Sequence, residues 1–235
     1  MTQLVSLHNQ HHQHLRVDTQ VAEAQGGNLN MVPVMLSEFL KLAVQFPIAI
    51  TKNKETGRFV CVALFGFGQN ENLFFQNGQW NSIYIPLHIT RQPFFLGNEK
   101  DDQFVICLDT NHPSLQENRG ELIFDNQGKE TAYLEKIKSM LAELVNGESA
   151  TQAFIDKLLA LNLLQAMHLE ITFANNESTR VEGMYTINEG RMQALTQEEL
   201  FELHKLGYLS QIYTMITSLG HIYGLVDKKN KQLGF

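Results

Sequence analysis

Residues 32–97 read VPVMLSEFLKLAVQFPIAITKNKETGRFVCVALFGFGQNENLFFQNGQWNSIYIPLHITRQPFFLG, and the fold class turns on how this run is divided. Leu36, Phe39, Leu40, Ala43 and Val44 follow the spacing of one helical face. The step Phe46-Pro47 ends that helix, because a residue before proline avoids the α region. Phe39 and Leu40 are its expected packing residues. Segments 47–52 and 58–67 then read as two strands joined by a turn at Glu55-Thr56-Gly57, and 72–76 reads as a third before the hairpin signal Asn77-Gly78. The expectation is an antiparallel meander. Gly66 and Gly68 bracket Phe67, which fits either a plain strand end or a bulge with close backbone approach. Pro86 and Pro93 interrupt IYIPLHITRQPFFLG, so that segment is expected to wrap across the sheet rather than run through its centre.

Outward from this run, 103–109 and 121–124 read as strands, with TNHPSLQENRG between them as a loop. Leu134, Ile137, Met140, Leu141, Leu144 and Val145 form an apolar stripe that stops at Asn146-Gly147. A second helix follows, with Ser149 and Gln152 as a capping pair and Phe154, Ile155, Leu158 and Leu159 facing inward, which predicts a helical hairpin. Segment 165–174 alternates, with Met167, Leu169, Ile171 and Phe173 on one face and His168, Glu170 and Thr172 on the other, and it turns at Asn175-Asn176 into a partner strand. Thr196 and Glu199 form a capping box, and the remainder is helical with a break at Gly207. Its buried face is read as Leu209, Ile212, Tyr213, Ile216, Leu219, Tyr223 and Val226. Residues 1–30, rich in Gln, His and Asn and closing on Gly26-Gly27-Asn28, read as an extended arm able to fold back. The expected class is therefore α+β. Antiparallel sheet in the N-terminal half and a later β-hairpin would pack with a helical hairpin and C-terminal helices, giving an arm over 1–30 and a single domain over 31–235.

Composition narrows function mainly by exclusion. Of the 235 residues 43% are hydrophobic and 18% charged, near the globular average, so disorder is not expected. A net charge of −7 without clustered basic residues argues against a nucleic-acid partner. Lys228, Lys229 and Lys231 read as a solvated helix end complementing the macrodipole. Cys61 and Cys107 sit in β-branched, aromatic runs and read as core thiols. The N-terminus has no basic start followed by an apolar run, and no segment approaches the roughly 20 apolar residues of a membrane helix. A cytoplasmic protein without membrane insertion is the expectation.

Few residues suggest chemistry. His8, His11, His12 and His14 have the composition of a metal site but lack a defined second ligand pair. His168 and Glu170, with His204 or His221 downstream, have the composition of a two-histidine, one-carboxylate iron site. The same alternation also describes an ordinary solvated strand face. There is no Gly-x-Ser-x-Gly elbow, phosphate-binding Gly-Lys loop or dinucleotide fingerprint, and no cofactor is expected. Glu38 and Arg91 could pair with each other, or Arg91 could capture an acidic ligand through its bidentate fork. Trp80, Tyr84, Phe94 and Phe95 form a dense aromatic group that is either core or the anchor of a binding groove. The groove candidates are Glu38, Trp80, Tyr84, Arg91 and Phe94, with His12 and Arg16 of the arm closing over them.

Several of these segments carry a resemblance. VPVMLSEF, FPIAI, VALFGF, ENLF and the series Trp80, Tyr84-x-Pro86, Arg91-x-Pro93-Phe94 resemble the body of the SapC family, and His12-x-x-Leu15-Arg16-Val17 is similar to its short N-terminal motif. Segment 181–225 is similar to the family's closing portion. The resemblance implies a Gram-negative bacterium and a genetic neighbourhood of outer-membrane nutrient receptors, tryptophan-halogenase-like flavoproteins and cupin-like oxygenases. It also implies an association with surface layers, from which this chain departs in lacking a secretory signal and calcium-binding nonapeptide repeats. The function expected is that of an accessory or binding protein in a nutrient-uptake or protein-modification locus, contacting a protein or peptide partner and assigned no reaction. The alternatives are a metal-dependent, iron oxygenase-like enzyme and a surface-layer structural protein.

Overall fold

A computed structural model describes residues 3–53, 55–98 and 104–235. In chain order these form β1 (Leu4–Ser6), α1 (Asn9–His12), β2 (Arg16–Val17), α2 (Thr19–Ala24), β3 (Met31–Pro33), α3 (Phe39–Leu42), β4 (Ile48–Lys52) and β5 (Phe59–Leu64). Next come β6 (Phe75–Gln76), β7 (Gln79–Trp80), α4 (Leu87–Thr90), β8 (Phe94–Asn98), β9 (Phe104–Asp109), β10 (Leu115–Gln116) and β11 (Glu121–Leu122). The chain continues through α5 (Ala132–Ala160), β12 (Leu164–Thr172), β13 (Ser178–Ile187), α6 (Glu189–Gln193), α7 (Gln197–Lys205), α8 (Tyr208–Ser218) and α9 (His221–Gln232). All strand pairings are antiparallel and the class is α+β. The residues group into two compact units, each assembled from separate stretches of chain: unit 1 is Met1–Gly27, Phe75–Asn81 and Ile85–Asn146, and unit 2 is Asn28–Phe74, Ser82–Tyr84 and Gly147–Phe235.

Unit 1 holds the sheets β1-β9-β8 and β10-β2-β11 and the hairpin β6-β7. Asn77 and Gly78 both have positive φ, 53° and 78°, as a tight two-residue hairpin turn requires. Its core gathers Val17, Ala22, Phe94, Leu108, Ile123, Phe124, Leu134, Ile137 and Leu141. The first thirty residues thus differ from an extended arm: β1 pairs with β9 in the register Leu4↔Asp109 to Ser6↔Cys107, and Val17 is fully buried. The polar composition that suggested an arm is used locally instead. Asp18 caps α2 by accepting from the Gln20 and Val21 amides, and the His8 imidazole caps α1. The proline-interrupted wrap resolves into α4, a cis Gln92–Pro93 bond and β8. Leu115 and Gln116 of the expected loop add β10 to the β2 sheet, and Gln103 lies outside the described residues.

Unit 2 is built on the five-stranded sheet β12-β13-β4-β5-β3. The meander is therefore shorter than expected, since 72–76 contributes only β6 and the β4-β5 pair is flanked by β3 and β13 instead. The later hairpin joins it through Met184↔Thr51 and Tyr185↔Ile50, reinforced by the Thr51 hydroxyl donating to the Gly183 carbonyl. Met167, Ile171 and Phe173 are buried and His168, Glu170 and Thr172 exposed, as the alternation predicts. Phe39, Phe46, Phe65, Phe74 and Phe154 fill the core, with Phe46 4.5 Å from Phe74 and 5.2 Å from Phe65 in edge-on contacts. Phe39 packs inward as expected but Leu40 is 66% exposed, because a 3-10 turn at Leu36–Glu38 precedes the single α turn and rotates the face. Tyr213 and Tyr223 are likewise exposed, and Met215 and Leu225 take the buried positions on α8 and α9.

The predicted helical hairpin is one uninterrupted helix, α5. Asn146-Gly147 does not stop it. A β-carbon at 147 would lie 2.9 Å from Cβ of Met35, so the glycine permits close approach of the Met35 chain and does not mark a left-handed cap. The break at Gly207 and the Thr196/Glu199 capping box form as expected, Gly207 at φ 74°. Lys229 departs from a solvated end: its ammonium meets Glu71 at 2.6 Å with both side chains largely buried. Gly66 and Gly68 explain why. The Glu71 carboxylate accepts from the Phe67 and Gly68 amides, and a β-carbon at 66 would lie 2.5 Å from the Glu71 carbonyl oxygen.

Two stability tests follow from unit 2. The fully buried Ser218 hydroxyl donates to the Met215 carbonyl and accepts from the Ile48 amide at the start of β4. Ser218→Ala orphans that buried N–H and is expected to lower the unfolding free energy by about 1–3 kcal/mol in chemical denaturation, whereas an unchanged midpoint contradicts the tie between α8 and β4. Burial alone would raise the Glu71 carboxyl, but the Lys229 hydrogen bond, the two amides and the Lys229 charge hold it below the ordinary carboxylate range. Its stabilising contribution is then present above the unfolded pKa of about 4.3 and lost as pH falls through the lower folded value. The stability gap between wild type and Glu71→Gln is expected to be widest above pH about 5 and to close below it, and a gap that widens on acidification contradicts the arrangement.

Candidate functional site

Trp80, Arg91 and Phe94, with His12 and Arg16, fall in unit 1, and Glu38 and Tyr84 in unit 2. The chain places the three aromatic and basic residues of unit 1 around α2, which packs against both α4 and β7. Trp80 is half-buried, and its indole N–H donates to the Glu23 carbonyl at the end of α2, 2.9 Å away. A β-carbon at Gly26 would lie 2.6 Å from the Trp80 ring, and one at Gly27 2.5 Å from Phe75. Those two glycines are therefore the floor on which the hairpin aromatics lie. Phe94 is fully buried and belongs to the core, 6.1 Å from Tyr133.

Arg91 follows α4. One guanidinium nitrogen donates to the Phe94 carbonyl at 2.6 Å, and the guanidinium carbon lies 4.3 Å from the centre of the Phe95 ring. It has no carboxylate partner among the described residues. Burial pushes its pKa down to about 10, and the group stays charged at neutral pH. One turn earlier, His88 is pushed down to about 4 by burial and by the Arg91 charge, so its imidazole is neutral. The Nε2 atom of His88 is buried and has no hydrogen-bond partner among the described residues. Sequence reading overlooked His88, since nothing in its type or spacing distinguishes it from other apolar-flanked histidines.

Glu38 is fully buried. Its carboxylate accepts from the Tyr84 hydroxyl at 3.0 Å and from the Met35 amide at 2.9 Å, closing the turn that starts α3. The Lys41 ammonium lies 5.4 Å over the Tyr84 ring. Within their own units the carboxylate of Glu38 meets a turn amide and a phenol, and the guanidinium of Arg91 a carbonyl and an aromatic face.

The histidine-rich start is structural in its contacts. His8 Nδ1 accepts from the Gln10 amide and His12 Nδ1 from the His8 amide, so both rings serve as backbone acceptors for α1. Burial, followed by the neighbouring His11, lowers the His12 pKa and keeps it an acceptor. Arg16 donates to the Gly120 carbonyl. On β12 the exposed Glu170 pairs with Arg180 at 3.3 Å, and His221 lies 2.8 Å from the Ala43 carbonyl. No group of three or more His, Cys, Asp or Glu side chains among the described residues is placed to hold a metal ion. No helix among them is long and apolar enough to cross a membrane.

Tyr84→Phe tests the Glu38 turn. Removing the hydroxyl strips one donor from a buried carboxylate and is expected to cost about 1.5–3 kcal/mol of stability without altering secondary structure, as read by denaturation followed by circular dichroism. A loss below about 0.5 kcal/mol contradicts a structural role for this pair.

No match is found among curated proteins or among solved structures. The SapC family profile matches residues 7–225, a span that takes in both units and every residue of the Glu38, Trp80 and Arg91 constellations. The chain belongs to the SapC family.

Proposed function

We propose that the protein is a binding protein, acting as an accessory in a bacterial nutrient-uptake or protein-modification locus, and that it captures an acidic group of a protein or peptide partner at Arg91. Membership of the SapC family supports the setting. One observation carries the assignment of the site: among the described residues, a partly buried guanidinium has a single side-chain hydrogen bond, to a backbone carbonyl, and no carboxylate, beside a buried imidazole nitrogen with no partner. Removing an arginine from water costs several kcal/mol unless a counter-charge completes its fork. The Phe94 carbonyl and the Phe95 face offset part of that cost and leave the remaining N–H groups for a ligand. A carboxylate can accept two of them side by side, and the His88 Nε2–H tautomer can donate to the same ligand. Trp80, held by the Glu23 carbonyl, supplies a rigid aromatic wall in the same unit.

The test is a peptide array in which acidic side chains are exchanged for their amides, probed with wild-type protein, Arg91→Gln and Arg91→Lys. Wild type is expected to retain acidic peptides and to lose them on amidation. Arg91→Gln should weaken the best ligand at least tenfold, about 1.4 kcal/mol, and Arg91→Lys should recover only part, because a point charge cannot form the fork. Equal binding by folded Arg91→Gln, or indifference to amidation, removes Arg91 as the anchor.

A further inference from the structure

We propose that β12 is a self-association edge, on which a second copy of this chain adds its own β12 antiparallel about a two-fold axis through Leu169. The strand is the outermost of its sheet, nine residues long, and no further strand lies beyond it among the described residues. Its polarity is fixed at both ends: Asn188 N–H donates to the Leu163 carbonyl and Phe173 N–H to the Glu177 carbonyl. Odd-numbered residues therefore turn their peptide groups toward β13, and Ala166, His168, Glu170 and Thr172 turn theirs to the open side. The side chains of these four are exposed as well.

Open edges are normally blunted by lysine, proline, shortness or a bulge in the edge strand itself. The far edge of this sheet obeys that rule, being the three-residue β3 that ends on Pro33. β12 does not. LQAMHLEIT contains neither lysine nor proline, and the register shift at Met167/Leu169 places the extra residue on β13, where Glu182 and Gly183 oppose His168.

Side-chain complementarity selects the occupant and its register. Outward peptide groups meet only when even-numbered residues face even-numbered ones. Centring on His168 sets two imidazoles together, and centring on Glu170 sets two carboxylates together, which is unfavourable. Centring on Leu169 sets His168 beside Glu170 of the second copy, twice, as a hydrogen-bond partner additional to the Arg180 that Glu170 meets within its own sheet, with Ala166 against Thr172. On the other face Met167 meets Ile171 and Leu169 meets itself, so the apolar stripes of the two sheets become continuous. Four pairs then exchange about eight backbone hydrogen bonds. An edge alone buries less than the roughly 1,200 Å² of a standard interface, so a micromolar, concentration-dependent dimer is the expected product.

Sedimentation velocity of the full chain over a micromolar concentration series should show a monomer–dimer equilibrium. Ala166→Pro removes an outward N–H without touching the bonds to β13, and should remain monomeric with an unchanged circular dichroism spectrum. Leu169→Cys should form a disulfide-linked dimer on mild oxidation, because residues on the axis of a non-hydrogen-bonded pair lie about 4.5 Å apart, within disulfide range. The native Cys61 and Cys107 are buried and do not compete. A wild type that is monomeric throughout, or a folded Ala166→Pro that still dimerises, overturns the edge. Cross-linking through His168→Cys in preference to Leu169→Cys overturns the register.

Discussion

The short pairing of β13 with β4 is the contact on which the architecture of unit 2 depends. Two residue pairs, Met184↔Thr51 and Tyr185↔Ile50, with the Thr51 hydroxyl on the Gly183 carbonyl, join a hairpin near residue 180 to a strand near residue 50. Phe59 and Tyr185 meet edge to face at 5.0 Å across the same joint. Closing so long a loop is entropically costly and cannot rest on two ladder pairs alone. The buried Ser218 supplies the remaining anchor by accepting the first amide of β4 from α8, which also packs on β13. Once the joint is made, β12 is the outer edge of the sheet and its even-numbered peptide groups face outward.

The aromatic and acidic residues singled out between Glu38 and Phe94 mostly stabilise backbone or core. Trp80 bonds the end of α2, Tyr84 and Glu38 close the turn before α3, and Phe94 fills the core of unit 1. A sequence motif dense in tryptophan, tyrosine, proline and arginine can therefore mark a fold without marking a reaction. Arg91 stands apart from its neighbours because its fork is only partly used, and His88 shares that property through Nε2. Unfilled hydrogen-bonding capacity at buried groups distinguishes a binding surface from a structural one more sharply than residue type does.

Sequence periodicity revealed the elements better than their assembly. The alternation of 165–174, the Asn77-Gly78 turn, the Thr196/Glu199 box and the break at Gly207 are local signals, and each corresponds to local geometry. What escaped were features set by distant partners. Asn146-Gly147 carries the composition of a helix stop, but the glycine's need is space for Met35 more than a hundred residues earlier. Lys229 sits in a basic run yet is claimed by Glu71, and the first thirty residues look like an arm until β1 finds β9. For the candidate site, the sequence singled out Arg91 by type, while its partnering by Phe94 and Phe95 and the orphaned His88 nitrogen depend on side-chain burial that no spacing encodes.

Residue-resolved amide exchange along β12 at two protein concentrations tests the β12-β13 hairpin and the open edge together. The amides of Leu169, Ile171 and Phe173 point to β13 and should be protected at both concentrations, while those of His168 and Glu170 should exchange rapidly in dilute solution and slow as concentration rises. Uniform protection of odd and even positions in dilute solution would mean that the edge is already covered. Rapid exchange at Leu169 and Ile171 would mean that the hairpin is not held as described. Either result contradicts the account.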